Sequence, residues 1–125
     1  MATAPKLSLK DIEANIASEH YFTAFDGATA EEVSGNAIYD SDWEVPRSIE
    51  ALQKLTLCVL VLRNGFTVVG ESACISPENF DAQRGREIAR EHAVEKVWPL
   101  MGYALSCKNA DNPKTEAEDS EYRGG

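Results

Sequence analysis

The stretch LTLCVLVLRNGFTVVGESA, residues 55–73, constrains the fold more than any other part of this chain, because its pattern is that of a β-hairpin. Asn64-Gly65 is the dipeptide that a two-residue type I′ turn prefers, since both turn positions need a positive φ, and β-rich runs flank it. This turn predicts a register that places Val61 opposite Val68. We therefore expect two antiparallel strands joined by a tight turn.

Residues 57–62 are apolar on both faces of the predicted strand. A strand with one solvent-facing side alternates apolar and polar residues, whereas a strand covered on both sides is apolar throughout. This strand is therefore expected at the centre of the sheet, with helices over one face and a second protomer over the other. A homodimer or higher homo-oligomer follows from that expectation.

Capping residues and apolar spacing predict helices on both sides of the hairpin. Ser8 precedes an amphipathic helix over residues 9–19, with a carboxylate three residues later as an imperfect capping box. Pro46 can open a short helix over 47–55. A longer helix is expected over 81–98, and Pro99 should end or kink it.

The segments between these helices are predicted to contain short strands. The stretch YFTAF, residues 21–25, is consistent with a strand that ends at the turn pair Asp26-Gly27. Another short strand is expected near 36–39.

The length of 125 residues corresponds to one domain. We predict a single α+β domain over 1–107, in which a small antiparallel sheet around the Asn64-Gly65 hairpin packs against C-terminal helices. Within it, residues 28–50 form a loop-rich segment. Residues 108–125 have almost no apolar side chains and are predicted to be a disordered acidic tail.

The formal net charge of −9 argues against a main function in binding duplex nucleic acid or anionic lipid, because both depend on Lys and Arg that neutralise phosphates. There is no N-terminal signal pattern and no apolar run of the roughly 20 residues that span a bilayer. The expected location is the cytoplasm.

Positive charge is concentrated in the segment DAQRGREIAR, residues 81–90. Arg86 and Arg90 are one helical turn apart and project from one face, where their mutual repulsion would be relieved by an anion. Helix starts at Ser76 and Asp81 add backbone N–H groups that favour phosphate. The sequence therefore suggests a pyrophosphate site, although a solvated face with both arginines paired to neighbouring Glu residues explains the same pattern.

Three further residues are candidates for contacts with a nucleotide. Phe66 or Phe80 could stack on a purine, and Asn79 could hydrogen-bond to an adenine edge or a ribose hydroxyl. The alternative is that both aromatic rings pack in the protein and that Asn79 is a local cap.

No pattern in the sequence points to catalysis. His20 and His92 belong to no HExxH spacing, and the chain has no nucleophile elbow, no P-loop and no GxGxxG. The three cysteines have no CxxC pair, so neither a disulfide framework nor a zinc knuckle is expected. We predict a binding protein with no catalytic residues, no metal and no cofactor.

Residues 56–105, TLCVLVLRNGFTVVGESACISPENFDAQRGREIAREHAVEKVWPLMGYAL, resemble a family of small tailed-phage accessory proteins. The motifs NGFTVVGESA, SPENFD, GREIARE and VWPLMGY occur here in the family's order. The type-one Thoeris anti-defence proteins belong to this family or lie near it.

The resemblance implies a phage protein that binds a nucleotide immune signal in the host cytoplasm and holds it without cleaving it. The signal would be glycocyclic ADP-ribose, and related sponges also take up cyclic oligonucleotides. The fold would be α+β with helices at the subunit interface and the ligand between protomers, and Arg86, Arg90, Phe66, Phe80 and Asn79 have the residue types such a ligand needs. The alternative function is an acidic protein-interaction inhibitor, or nucleic-acid mimic, that acts on a host defence protein.

Overall fold

The computed structural model describes residues 6–74 and 81–110. Three antiparallel strands form a sheet in the order β1-β2-β3, and one long helix crosses one of its faces. The fold is α+β, as the sequence predicts. The elements in chain order are α1 (Leu9–Ala14), β1 (Ile16–Thr23), α2 (Ala24–Ala28), a 3₁₀ turn (Ser34–Asn36), α3 (Val45–Gln53), β2 (Leu55–Leu62), β3 (Thr67–Ala73) and α4 (Ala82–Ala110).

The core lies between β2 and α4. Strand β2 is the central strand, and its alternate residues from Thr56 to Leu62 are buried beneath the helix. Helix α4 meets them with small and branched side chains, so that the helix axis comes close to the sheet. The buried apolar residues of this core are Ile12, Ile16, Cys58, Leu60, Leu62, Val68, Ala89, Ala93, Val94 and Val97.

Gly70 on β3 sets how closely α4 approaches the sheet. A Cβ at this position would overlap the carbonyl oxygen of Ala89 and the backbone of Ala93. Only glycine therefore allows this contact between strand and helix backbones. The outer edge of β3 is also covered by α4, because Lys96 Nζ donates a hydrogen bond to the Val69 carbonyl and His92 Nδ1 to that of Glu71.

The hairpin is confirmed, but its predicted register is wrong by one residue. Val61 pairs with Thr67 rather than with Val68. Gly65 has a positive φ of 91°, and no other described residue of the turn does. Because a type I′ turn needs two positive φ values, the connection is a longer loop that closes with Gly65 N donating to Leu62 O at 2.8 Å.

The first helix is shorter than predicted. The capping box of Ser8 and Asp11 is present, but α1 ends at Ala14, and residues 16–23 form β1 instead of continuing the helix. Tertiary pairing with β2 overrides the local helical spacing, since β1 gains a full antiparallel ladder.

The predicted strand over 21–25 and its turn are wrong in part. Strand β1 ends at Thr23, whose side chain and Asp26 form a second capping box that starts α2. The short strand expected near 36–39 is also absent: residues 37–40 form no regular element. The helix expected after Pro46 is confirmed and begins two residues earlier than predicted, at Val45.

Pro99 lies inside α4 and does not end it. A proline removes one helical hydrogen bond, here the donor for the carbonyl of Glu95. Both residues lie on the exposed side of the helix, where water can satisfy that carbonyl. The helix therefore continues to Ala110, which includes the first three residues of the predicted acidic tail. Residues 111–125 lie outside the described part of the chain.

No helix within residues 6–74 and 81–110 covers the centre of the second face of the sheet. Its residues on β2 are only half-buried, and Val69 on β3 is 39% exposed. The predicted central position of β2 is thus correct. The described residues of this chain leave the second face partly open, and the second protomer expected there stays a prediction.

The contact at Gly70 predicts opposite effects for two glycine substitutions. Gly70→Ala should lower the free energy of unfolding by about 3 kcal/mol, since the added methyl group forces α4 away from β3. Gly102 lies on α4 with open space around it, so Gly102→Ala should raise the free energy of unfolding by about 0.5–1 kcal/mol. Urea unfolding followed by circular dichroism measures both, and an equal effect of the two changes would contradict the packing described here.

Candidate functional site

A cleft lies between β1 and the first turns of α4. It has two adjoining lobes of about 160 and 330 Å³ that share Tyr21 and Arg86. The smaller lobe reaches Thr23, Asp26 and Thr56, and the larger one is lined by Gln83, Glu87 and Arg90. Polar side chains and the aromatic rings of Tyr21 and Phe22 thus surround the Arg86 guanidinium.

Arg86 is the available cation of this cleft. Its Nη2 donates to the neutral Gln83 Oε1 at 3.0 Å. Among the described residues, no carboxylate lies within ion-pair distance of it. Most of its five donors therefore remain open to a ligand. Gly85, directly before it, lets the helix approach Thr56, where a Cβ would come within 3.0 Å of the threonine hydroxyl.

Arg90, in contrast, is bound to two carboxylates of its own chain. Its Nη2 and Nη1 donate to Glu13 at 2.6 and 3.0 Å, and Nε and Nη2 donate to Glu19 at 3.1 and 3.0 Å. Both contacts are bidentate, which is the strongest geometry for a guanidinium and a carboxylate. Arg90, Glu13 and Glu19 are here called the clamp. The clamp joins α1, β1 and α4, so Arg90 stabilises the wall of the cleft.

The clamp also determines the ionisation of its members. Hydrogen bonds from Arg90 and from the Tyr21 hydroxyl lower the pKa of Glu19. The hydrogen bonds from Arg90 to Glu13 and Glu19 raise the pKa of Arg90 further above its already high value. Burial and the hydrogen bond to Glu19 raise the pKa of Tyr21, which therefore keeps its proton and presents a neutral phenol ring to the cleft.

The start of α4 is capped by the protein itself. The Asp81 carboxylate accepts hydrogen bonds from the backbone N–H groups of Gln83 and Arg84 at 3.0 and 3.2 Å. These are the donors that a phosphate at this helix start would use. The nearby pair of Arg84 and Glu87, at 3.2 Å, is exposed, and Glu87 also lines the larger lobe of the cleft.

The structure does not bring all the predicted site residues together. Arg86 and Arg90 both line the cleft, as their shared helix face predicts. Phe66 lies at the other end of the molecule, in a groove with Leu100 and Met101. Leu100 is 14 residues from Arg86, which is about 21 Å along α4. Ser76, Asn79 and Phe80 lie outside the described residues.

Sequence reasoning missed Tyr21, Thr23 and Gln83 as residues of the cleft. The strand prediction placed residues 21–25 in a short separate element, which hid the alternation of Glu19, Tyr21 and Thr23 along one face of β1. Recognition of 16–23 as one strand would have placed these three side chains on the face that α4 covers.

The clamp predicts a pH-dependent cost for Glu19→Gln. The free energy of unfolding should fall by about 1–2 kcal/mol at neutral pH, because Arg90 and Tyr21 lose an ionised acceptor that is partly screened by solvent. A carboxyl whose pKa is lowered by folding stabilises the protein above its unfolded pKa and ceases to do so as pH falls through the folded value. The cost should therefore shrink as pH falls below the ordinary carboxyl pKa of 4.5 and through the lower folded pKa of Glu19.

Urea unfolding at a series of pH values measures this cost. Glu91→Gln, on the exposed side of α4, is the matched control and should have almost no effect at any pH. A cost for Glu19→Gln that does not change with pH would show that the loss comes from packing rather than from the ionised clamp.

No described helix is long and apolar enough to cross a membrane. Within the described ranges, no group of three or more His, Cys, Asp or Glu residues is arranged to hold a metal ion.

Comparison with known proteins identifies the family of the chain. No curated protein and no solved structure matches it. One protein-family model does match, over residues 7–108, which include every described helix and strand apart from the last two residues of α4. The chain therefore belongs to the Phage protein (N4 Gp49/phage Sf6 gene 66) family.

Proposed function

We propose that this phage protein binds a small phosphate-bearing nucleotide signal in the cleft at Arg86 and sequesters it without cleaving it. Glycocyclic ADP-ribose is the first candidate, and cyclic oligonucleotides are the second. Both carry phosphate and at least one nucleobase. Sequestration of such a signal in the host cytoplasm would make the protein an anti-defence sponge of the Thoeris type.

The observation that carries this proposal is the state of Arg86. On a chain with a net charge of −9, most cations near a carboxylate become paired, as Arg84 and Arg90 are. Arg86 instead faces a cleft with a neutral partner. A planar guanidinium with open donors is the side chain best suited to hold a phosphate by two hydrogen bonds.

The surroundings of Arg86 suit the rest of a nucleotide. The Tyr21 ring is 36% exposed at the junction of the two lobes and can stack on a base. Gln83 Oε1 accepts from Arg86 and Nε2 donates to Glu87, which leaves one amide N–H for a ligand. The Thr23 hydroxyl accepts from Asp26 N and can donate to a base edge or ribose. The clamp uses four of the five N–H donors of Arg90, so in this proposal Arg90 can give the ligand one hydrogen bond. Its main contribution is to position Tyr21 and β1.

A second copy of the chain would complete the site. Ligand sites usually enclose about 300–1,000 Å³, and the two lobes in a single copy lie at the low end of that range. Phe66 is too distant to reach the ligand within its own protomer. A homo-oligomer could bring the hairpin tip of one copy towards the cleft of another.

The half-exposed face of the sheet is the surface we assign to self-association. Leu57, Val59 and Val61 on β2 and Val69 on β3 form an apolar strip there. On this strongly acidic chain, two copies repel each other wherever charged surfaces meet, so an interface requires a strip such as this one.

Arg86→Ala should weaken binding of glycocyclic ADP-ribose by about 1.5–3 kcal/mol, the range for a hydrogen bond to a charged group, which corresponds to roughly 10- to 150-fold in Kd. Lys108→Ala removes the same charge in the last turn of α4 and should leave affinity almost unchanged. Isothermal titration of wild type and both variants measures the difference. Equal affinity in all three would place the ligand elsewhere.

The fate of the ligand separates a sponge from an enzyme. After titration, the protein is denatured by heat and the released ligand is analysed by mass spectrometry. Recovery of unaltered glycocyclic ADP-ribose supports sequestration, and a changed mass would mean that the protein degrades its ligand. If wild type gives no heat at high protein concentration, the same titration with cyclic oligonucleotides tests the second candidate. Failure of both would contradict the proposed function.

Val59→Glu should convert the proposed oligomer to monomer, because a carboxylate would face its own copy across an apolar strip. Leu9→Glu places the same charge on an exposed leucine of α1, outside the sheet, and should leave the mass unchanged. Sedimentation equilibrium measures the mass of wild type and both variants. A wild-type monomer would rule out the assigned surface.

A further inference from the structure

We propose that residues 31–50, here called the acidic arm, are a docking surface for a protein partner with a basic surface and an apolar pocket. The arm links α2 to the body of α3 and contributes nothing to the cleft at Arg86. The proposal is therefore independent of nucleotide binding and stands or falls separately.

The arm leaves six large apolar side chains more than a third exposed. Ile38 is 96% exposed, a value that a branched aliphatic residue seldom reaches in a folded domain. Helix α3 is amphipathic and contacts α2 and β2, but it has no fully buried residue, so its apolar side stays partly open to solvent. The exposed apolar residues of the arm are Val33, Ile38, Tyr39, Trp43, Val45 and Ile49. Such a concentration in one segment is typical of an interaction site.

The central part of the arm has a defined local structure. The indole Nε1 of Trp43 donates to Ser48 Oγ at 2.7 Å, and the Arg47 guanidinium lies 4.7 Å from the centre of the Trp43 ring. The backbone turn before it closes with Trp43 N donating to Asp40 O at 3.1 Å. An aromatic anchor held in place before binding loses less conformational entropy when it is buried by a partner.

The charge of the arm indicates which partner fits. It carries six carboxylates and one arginine, a net charge of −5, whereas the chain as a whole has −9. More than half of the excess negative charge therefore lies on these residues. Burial of the apolar side chains brings the carboxylates against the partner, which must be basic there to avoid like-charge repulsion.

The same charge argues against two other occupants. A second copy of the chain would place an acidic surface against an acidic arm. An anionic bilayer would repel the arm, because membrane-surface helices depend on Lys and Arg next to their apolar side chains. A basic protein surface satisfies both the apolar residues and the carboxylates.

A random library of short peptides displayed on yeast, sorted for binding to the purified full-length chain, tests the arm directly. The enriched peptides should combine Lys or Arg with large apolar residues. Their affinity should fall roughly tenfold or more for Ile38→Ser, whose side chain contacts nothing in the fold, and for the double variant Asp42→Asn, Glu44→Gln. The double variant Glu91→Gln, Glu95→Gln on α4 removes the same charge elsewhere and should leave affinity unchanged.

Four outcomes would overturn the proposal. The first is enrichment of peptides without a basic bias, and the second is a library that yields no peptide sensitive to the arm variants. The third is a fall in the sedimentation mass of the Ile38→Ser variant relative to wild type, because a second copy would then occupy the arm. The fourth is binding to phosphatidylcholine vesicles that Ile38→Ser abolishes, which would make the arm a membrane anchor.

Discussion

The close packing of α4 on the central strand is the contact on which the rest of this structure depends. Gly70 removes the side chain that would hold the helix away, and Ala89 and Ala93 keep the helix surface small at the same place. This contact determines where the N-terminal turns of α4 lie. Arg86 and Arg90 therefore project towards β1 rather than into solvent, and the cleft is a consequence of backbone packing some distance from it.

The arginines in the cationic segment of α4 meet different partners. Arg90 reaches Glu13 and Glu19, which come from two other elements, and the four hydrogen bonds make it a structural tie. Arg86 is one turn earlier, and among the residues that the structure describes its side chain hydrogen-bonds only to Gln83. A single helical turn thus separates a cation in two ion pairs from one that has no ion pair with any described residue. Identity of residue type and shared helix face do not distinguish the two.

Local signals in the sequence predicted those elements that local interactions stabilise. The capping box at Ser8, the helix after Pro46, the hairpin and the helix through residues 82–98 are present because each depends on nearby residues. The errors occur where distant residues decide. The segment 16–23 has mixed spacing, and its pairing with β2 makes it a strand. The hairpin register shifted by one residue because packing of Leu60 and Val68 beneath α4 determined it, rather than the preferred turn of Asn64-Gly65.

By itself, the sequence determined the fold class, the central position of β2 and the concentration of cations on one helix, because composition and short-range spacing carry that information. Only the tertiary structure decided which arginine is available, since ion pairs with Glu13 and Glu19 join residues more than seventy positions apart. It also separated Phe66 from Arg86 and placed Tyr21 beside it. Contacts between distant residues depend on the packing of whole elements, and the residue spacing of a single chain does not specify that packing.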